Sequence, residues 1–356
     1  MSFTPTELLA RLVTTPSLSR QETATAELIH DYLNDYGITA HRHLNNVWAR
    51  SRNWVPGRMT VLLNSHHDTV KPAAGYTRDP YAATVEDGKL YGLGSNDAGG
   101  ALVSLIAAFL ELENDDRLGV NLVLAATAEE EISGPNGIAA LLPLLPPLDC
   151  GIVGEPTLLD LAVTERGLVV LDGHTEGQSG HAARKEGVNA LYLAVDDIAA
   201  IRDHHFQRES AHLGPTGATV TVIHSGTQHN VVPDRCSFVV DLRVNDAYTN
   251  EEAVAELQSV CRHAILTPRS LRLQSSRIEA DHPLVRAACS IRPSAMLYGS
   301  PTLSDQALLP FPTLKVGPGD SARSHSADEF IYLNEIEEGV GFYTELLRRA
   351  EAPREG

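Results

Sequence analysis

The chain has 356 residues, 43% of them apolar, and a formal net charge of −18. That charge repels a polyanion, so nucleic acid is excluded as a partner, and no run of about eighteen apolar residues offers a membrane span. The length predicts two domains, or one with a large insertion.

The opening MSFTPTELLARLV lacks a basic stretch followed by an apolar core, so no secretory leader is expected there. Its "TPTE" combines a capping box, Thr4 with Glu7, and Pro5 at the first helical position, which predicts a helix start. "ETATAELIHDYLNDYG" predicts an amphipathic helix closed by Gly37. Short apolar runs then read as buried strands: "MTVLLNS" (59–65), "VNLVLAATA" (120–128), "CGIVGE" (150–155) and "PTLKVG" (312–317). "GGALVSLIAAFLELEN" and "NGIAALLPLL" read as helices between them. This alternation predicts an α/β class, a mixed, mostly parallel sheet sandwiched by helices.

Near residue 164 the pattern changes. "GLVVLDGHTEG" alternates as a strand, "GVNALYLAVDDIAAIRDH" is helical, and "GATVTVIHSG" and "CSFVVDLRV" alternate again. "TNEEAVAELQSVCRHA" then reads as a helix and "SLRLQSS" as a strand. That β-α-β-β-α-β order predicts an inserted α+β, ferredoxin-like unit over 165–275, with 1–164 and 276–356 forming the surrounding domain. Cys150, Cys236, Cys261 and Cys289 show no paired spacing and fit free thiols in a reducing cytoplasm, the expected location. Only four of the 28 basic residues are lysines (Lys71, Lys89, Lys185, Lys315), which suits a salt-rich cytoplasm or GC-rich codons equally.

The glycine-rich "YGLGSNDAGGAL" (91–102) starts like a dinucleotide fingerprint but has Asp97 where a third glycine belongs. "TVEDGKLYG" before it reads as a hairpin about Asp87-Gly88, not as the strand of a βαβ unit. A carboxylate aimed into the loop repels phosphate, so the glycines are read as a mount for Asp97. Sites in open α/β sheets form at the carboxyl ends of strands, and here those ends carry "NSHHDTV", "TAEEEISG" and "GEPT", with "GPGDSARSHSADE" after the last strand. Period-two alternation puts His66 and Asp68 on one side and His67 on the other. Mixed imidazole and carboxylate favours zinc or a similar transition metal. Asp97 suits a carboxylate bridging two cations about 3.5–4 Å apart.

The segments "SHHDTV", "GLGSNDAGG", "AEEEISG", "GEPT", "GQSGHAA" and "SHSADE", in this order, resemble the di-zinc family of acetylornithine deacetylases, succinyl-diaminopimelate desuccinylases, aminoacylases and glutamate carboxypeptidases. The stretch from Leu62 through Leu105 is most similar to the acetylornithine deacetylase branch. The resemblance implies the phosphorylase/hydrolase-like fold of zinc peptidases, with the inserted unit as lid and dimerisation domain. It implies two divalent ions, zinc or else cobalt. Asp97 bridges them, His66 and Glu155 complete one site, and Glu131 and His325 complete the other. Asp68 orients His66, Glu130 is the general base, and His181 reaches the other subunit of a homodimer to hold the oxyanion. Asn230, Arg243 and Gly319 bind substrate. The family carries Asp-Glu-Glu where this chain has Glu129-Glu130-Glu131, and Gly where it has Ser65. Matching "ISG" makes Glu131 the ligand, and alternation favours His66 over His67.

The expected reaction is deacylation of a small N-acylated amino acid, N-acetyl-L-ornithine in arginine biosynthesis first. Succinyl-ornithine, acetylcitrulline, acyl-lysine, succinyl-diaminopimelate and a dipeptidase or carboxypeptidase activity stay open. A serine hydrolase would need G-x-S-x-G, and "GQSGH" lacks that spacing. A catalytically silent binding protein should have lost the base or a ligand, whereas candidates for all of them are present.

Overall fold

Short apolar runs become strands, and longer periodic ones helices, for reasons visible at their ends. The computed structural model describes residues 3–184 and 186–350; Lys185 and the outermost residues of the expected first domain (1–2 and 351–356) lie outside the described residues. Helix α1 (Pro5–Val13) starts at the expected capping box, Thr4 Oγ1 accepting the Glu7 N–H at 3.2 Å and the Glu7 carboxylate accepting the Thr4 N–H at 2.7 Å. Helix α2 (Thr23–Asp35) is followed by Gly37 at φ +75°. Then come β1 (Asn46–Arg50), β2 (Thr60–His66), α3 (Gly100–Leu112), β3 (Asn121–Thr127), β4 (Cys150–Val153) and β5 (Leu161–Glu165).

In the sheet, β2 lies between β3 and β4, parallel to both, and the late strand Thr313–Lys315 continues parallel to β4. On the wings, β1 and β5 run antiparallel to their neighbours. Every residue of β2 and β3 is buried, as a strand covered on both faces requires. Val61 and Leu63 face the main core with α1, α2, α3 and the C-terminal helix Leu333–Arg349; Leu62 faces the other way, onto Val123, Val153, Ile138 and Leu141. The result is the α/β sandwich with a mixed sheet that the sequence predicts.

Three local expectations change. "NGIAALLPLL" forms only a short helix, Ile138–Leu141, and a 3₁₀ turn, Leu142–Leu144, because Pro143 has no N–H with which to continue an α-helix. The hairpin Thr84–Glu86/Lys89–Tyr91 does turn on Asp87 (φ +50°) and Gly88 (φ +73°), but it gains a third strand, Phe330–Tyr332. In the inserted segment the final strand is Ile265–Pro268, paired with Gly167–Glu176; 270–275 form no strand. A proline is tolerated there because this strand lies at the sheet edge.

The chain divides into two compact units: Met1–Val163 with Arg277–Tyr298 and Ser304–Gly356, and Thr164–Ser276 with Gly299–Leu303. Gly299–Leu303 falls outside the predicted span of the second unit; Gly299 packs against the His212 carbonyl and Leu213. That unit has a four-stranded antiparallel sheet in the order Gly217–Ser225, Arg235–Val244, Gly167–Glu176, Ile265–Pro268. Helices Ala190–Asp203 and Asn250–Val260 pack against its buried face. Among the described residues no helix is long and apolar enough to cross a membrane.

Candidate functional site

Strand β2 ends by delivering His66 into the interior, 1% exposed. Its Nδ1–H donates to the Asp68 carbonyl at 3.0 Å, with Asp68 Oδ1 at 3.3 Å. A carbonyl can only accept, so this contact fixes the tautomer and turns the lone pair onto Nε2. Nε2 is buried with no hydrogen-bond partner. Around it stand Asp97 Oδ1 at 3.4 Å, Glu130 Oε2 at 3.8 Å and Glu155 Oε1 at 3.9 Å. Ionised carboxylates have no hydrogen to offer, so with these acids charged that lone pair can be met only by a proton or a cation.

His67 points elsewhere. Its Nε2–H donates to the Asn45 carbonyl at 2.9 Å, and Nδ1 lies 2.9 Å from Thr25 Oγ1. Burial pushes its pKa down to about 4, so it is a neutral core residue. The two rings of "SHHDTV" thus have opposite fates, set by the strand's alternation.

Asp97 is mounted by the glycine-rich loop. Gly94 takes φ +75°, and a Cβ there would stand 2.6 Å from Thr69 Cγ2, so only glycine fits the turn. Asp97 Oδ1 faces His66, and Oδ2 lies 3.5 Å from Nε2 of His325. His325 Nε2 also bonds Glu131 Oε2 at 2.9 Å. One carboxylate therefore spans two imidazoles, one buried and one half exposed at the rim (54%). Ligand-capable atoms converge in two overlapping groups: His66, Asp97 and Glu131; and His66, Glu130 and Glu155.

Of the three adjacent glutamates, Glu129 turns away. It adopts φ +54°, and its carboxylate accepts from Asn136 N–H at 3.2 Å and Asn136 Nδ2 at 2.9 Å. Glu130 and Glu131 face the cluster, and Asp68 holds their loop: Oδ1 accepts the Glu130 N–H at 3.1 Å and Oδ2 the Glu131 N–H at 3.2 Å. Ser19 donates to Asp68 as well, at 2.7 Å.

The electrostatics are those of an anionic pocket. Burial, with the nearby Glu155, Asp305 and Glu131 charges, raises Glu130 well above the usual carboxylate range despite the His66 charge. Burial likewise lifts Glu155 to about 8. Burial disfavours the His66 cation, yet Glu130, Asp68 and Asp97 together raise it well above an ordinary imidazole. The Glu131 hydrogen bond lifts His325 to about 9. Such a cluster holds either protons or metal cations, and its mixed nitrogen and oxygen donors suit a zinc-like ion.

The other predicted residues are placed as follows. Gly319 (φ +89°) packs on Asn96 Oδ1, and its carbonyl accepts the Leu158 N–H at 2.7 Å. In the second unit, His181 lies on the short exposed strand Gly180–His181, with Nδ1 accepting the Ala183 N–H at 3.2 Å. Asn230 is exposed and its carbonyl accepts the Ala182 N–H at 3.1 Å. Arg243 forks onto Asp241 at 2.7 and 3.1 Å. Among the described residues, His181 is in neither of the ligand-capable groups around His66.

Two buried acids near the cluster escape sequence reasoning. Asp305 accepts from Thr127 Oγ1 at 2.7 Å and is pushed up to about 6 by burial; nothing in "LSDQALL" marks it. Glu329 accepts backbone amides of the Asp97 loop; its place inside "SHSADE" is the signal that could have found it.

Comparison with known proteins adds the following. A family model described as peptidase family M20/M25/M40 matches residues 62–349. Succinyl-diaminopimelate desuccinylase 2 of Ruegeria sp. (strain TM1040) is 28% identical over 300 residues, covering 79% of this chain and 73% of its own. The crystal structure of aminopeptidase PepT from Bacillus cereus matches with a TM-score of 0.77 at 19% identity, over 98% of this chain and 100% of that one. A dinuclear metal binding peptidase of the M20 family from Bacillus subtilis matches with a TM-score of 0.73 at 16% identity, over 96% of each chain. The two solved structures share the fold, and the family match runs from within β2 to the C-terminal helix. The chain belongs to peptidase family M20/M25/M40.

Proposed function

We propose that this protein is a metal-dependent amidohydrolase that deacylates N-acylated amino acids, with N-acetyl-L-ornithine as the first candidate substrate. The observation that carries the reading is the buried, unpartnered Nε2 of His66 facing only carboxylate oxygens. Two divalent ions, zinc in the first instance, would be held by His66 and Glu155 and by Glu131 and His325, with Asp97 shared. Bound there, they supply an acidified water and a polarised carbonyl.

The chain's own residues do the rest. Asp68 keeps His66 in the Nδ1–H tautomer. Glu130 would take the proton of the attacking water and pass it to the leaving amine nitrogen. His181, from the second unit of a partner copy, would donate to the oxyanion. Arg243 would exchange its Asp241 partner for a substrate carboxylate, which a guanidinium binds bidentately. A homodimer is supported by the second unit's open strand Gly217–Ser225, where Val222 and Ile223 are 40% and 45% exposed, and by Tyr192 and Val195, also exposed, on the helix that packs against that strand. Apolar strand edges of this kind are rarely left uncovered.

The likeness to a succinyl-diaminopimelate desuccinylase favours a second reading, in which the acyl group carries its own carboxylate. Hydrolysis of N-acetyl- and N-succinyl-amino acids, with and without zinc or cobalt, decides between them. Turnover of the N-acetyl series supports the first reading, and turnover confined to the N-succinyl series the second. No turnover of any N-acyl amino acid in the presence of metal refutes both.

A further inference from the structure

Glu329 is 2% exposed and belongs to neither ligand group. Its Oε1 accepts the Asn96 N–H at 2.9 Å and the Asp97 N–H at 3.0 Å, and its Oε2 accepts the Gly94 N–H at 3.2 Å. The donors come from 232 to 235 positions earlier in the chain. The Glu329 carbonyl accepts a further amide of the same loop, Gly92, at 2.9 Å. A second clasp binds the two segments ahead of His325: Asn96 Nδ2 donates to the Asp320 carbonyl at 3.0 Å, and Asn96 Oδ1 accepts the Asp320 N–H at 3.0 Å. Asp97 and His325 sit between these clasps.

Burying a carboxylate is expensive unless its oxygens are bonded, and here the amides of one irregular loop do the bonding. Residues Ser95–Gly99 make a single π-type turn whose backbone is non-helical at Asp97 and Ala98, so no regular helix or sheet ladder defines where Asp97 points. A two-oxygen acceptor of this length reaches the amides on both sides of the turn, so the loop closes around it.

We propose that Glu329 is a positioning residue for the metal centre. It sets the Asp97 loop against the His325 segment so that Oδ1 meets His66 while Oδ2 meets His325. This rests on the cluster being a metal centre.

The test compares Glu329→Gln and Glu329→Asp with Asp197→Asn. Asp197 is a matched control in the other unit: 1% exposed, it accepts the amides of Arg262, His263 and Ala264 at 2.9, 2.8 and 2.6 Å. Metal-free protein is titrated with zinc by calorimetry, its melting is followed by circular dichroism, and the cobalt-loaded form is read by visible absorption. Gln presents an N–H₂ to one of the amides, and Asp cannot span them. Both Glu329 variants should therefore bind zinc about 10- to 100-fold more weakly and alter the cobalt spectrum. Asp197→Asn should lower the melting temperature with zinc affinity unchanged. Wild-type zinc affinity in both Glu329 variants, or a lowered melting temperature with affinity intact as in Asp197→Asn, would overturn the proposal. So would full recovery of affinity in Glu329→Asp alone, since charge rather than reach would then matter. Failure of the wild-type protein to bind zinc would instead sink the metal-centre reading beneath it.

Discussion

Replacing Glu130 by Gln separates chemistry from architecture. The side chains are isosteric, and among the described residues no hydrogen bond holds the Glu130 carboxylate, which stands 3.8 Å from His66 Nε2. The loop is fixed by the Glu130 backbone N–H to Asp68, a contact the substitution keeps. A general base contributes about a hundred- to ten-thousand-fold, or roughly 3–5 kcal/mol of barrier. kcat on the best N-acyl amino acid should fall by that amount, while zinc still binds through the remaining donors. Stability moves the other way. Because burial raises Glu130 well above the ordinary glutamate range, its contribution to folding is present below that range and is lost as pH rises through the folded pKa. Gln carries no charge to bury, so the metal-free variant should melt higher than the wild type at pH 8. Stopped or discontinuous ninhydrin assays read the rate, and calorimetry reads metal and melting. A kcat within about tenfold of wild type would move the base to another residue; lost zinc binding would make Glu130 a ligand.

Other consequences are as direct. His66→Ala should abolish metal retention measured by atomic emission, whereas His67→Ala should keep the metal and lose roughly 2–4 kcal/mol of stability from a buried, hydrogen-bonded ring. In metal-free protein, His325 (raised to about 9) and Glu155 (raised to about 8) both favour folding at low pH. The melting temperature should therefore drop between pH 6.5 and 9, and zinc should flatten the drop; a rise would contradict the charge balance described here. Gly94→Ala should cost about 1–3 kcal/mol in chemical denaturation, from left-handed backbone and the Thr69 clash. Ile223→Lys should convert a dimer to monomers in sedimentation velocity, and an unchanged dimer would relocate the interface.

The fold was legible where one period dominated. Strands β2 and β3 announce themselves as continuous apolar runs, and Thr4 with Glu7 marks the first helix at its start. Legibility failed where pairing, not pattern, decides. "SLRLQSS" alternates well but forms no strand over 270–275, whereas Ile265–Pro268 pairs with Gly167–Glu176 despite its proline. Phe330–Tyr332 is too brief to announce itself, yet its pairing with Lys89–Tyr91 carries the His325 segment to the Asp97 loop.

For the site, residue chemistry pointed to the right segments but could not sort the carboxylates within them. Asp68, Glu129 and Glu329 are as acidic in sequence as Asp97, Glu130 and Glu155. The difference lies in who supplies their hydrogen bonds. Asp68 is engaged by the amides of Glu130 and Glu131, Glu129 by Asn136, and Glu329 by Gly94, Asn96 and Asp97. Glu130 and Glu155 receive no backbone N–H among the described residues, and their oxygens face an imidazole lone pair. Saturated carboxylates serve as anchors, and unsaturated ones retain the capacity to bind a cation. Distant backbone makes that division: Glu329 finds its donors more than 230 positions away, a distance no local pattern spans. A pocket built this way gathers negative charge that folding alone would not favour, and a bound cation is what turns that cost into affinity.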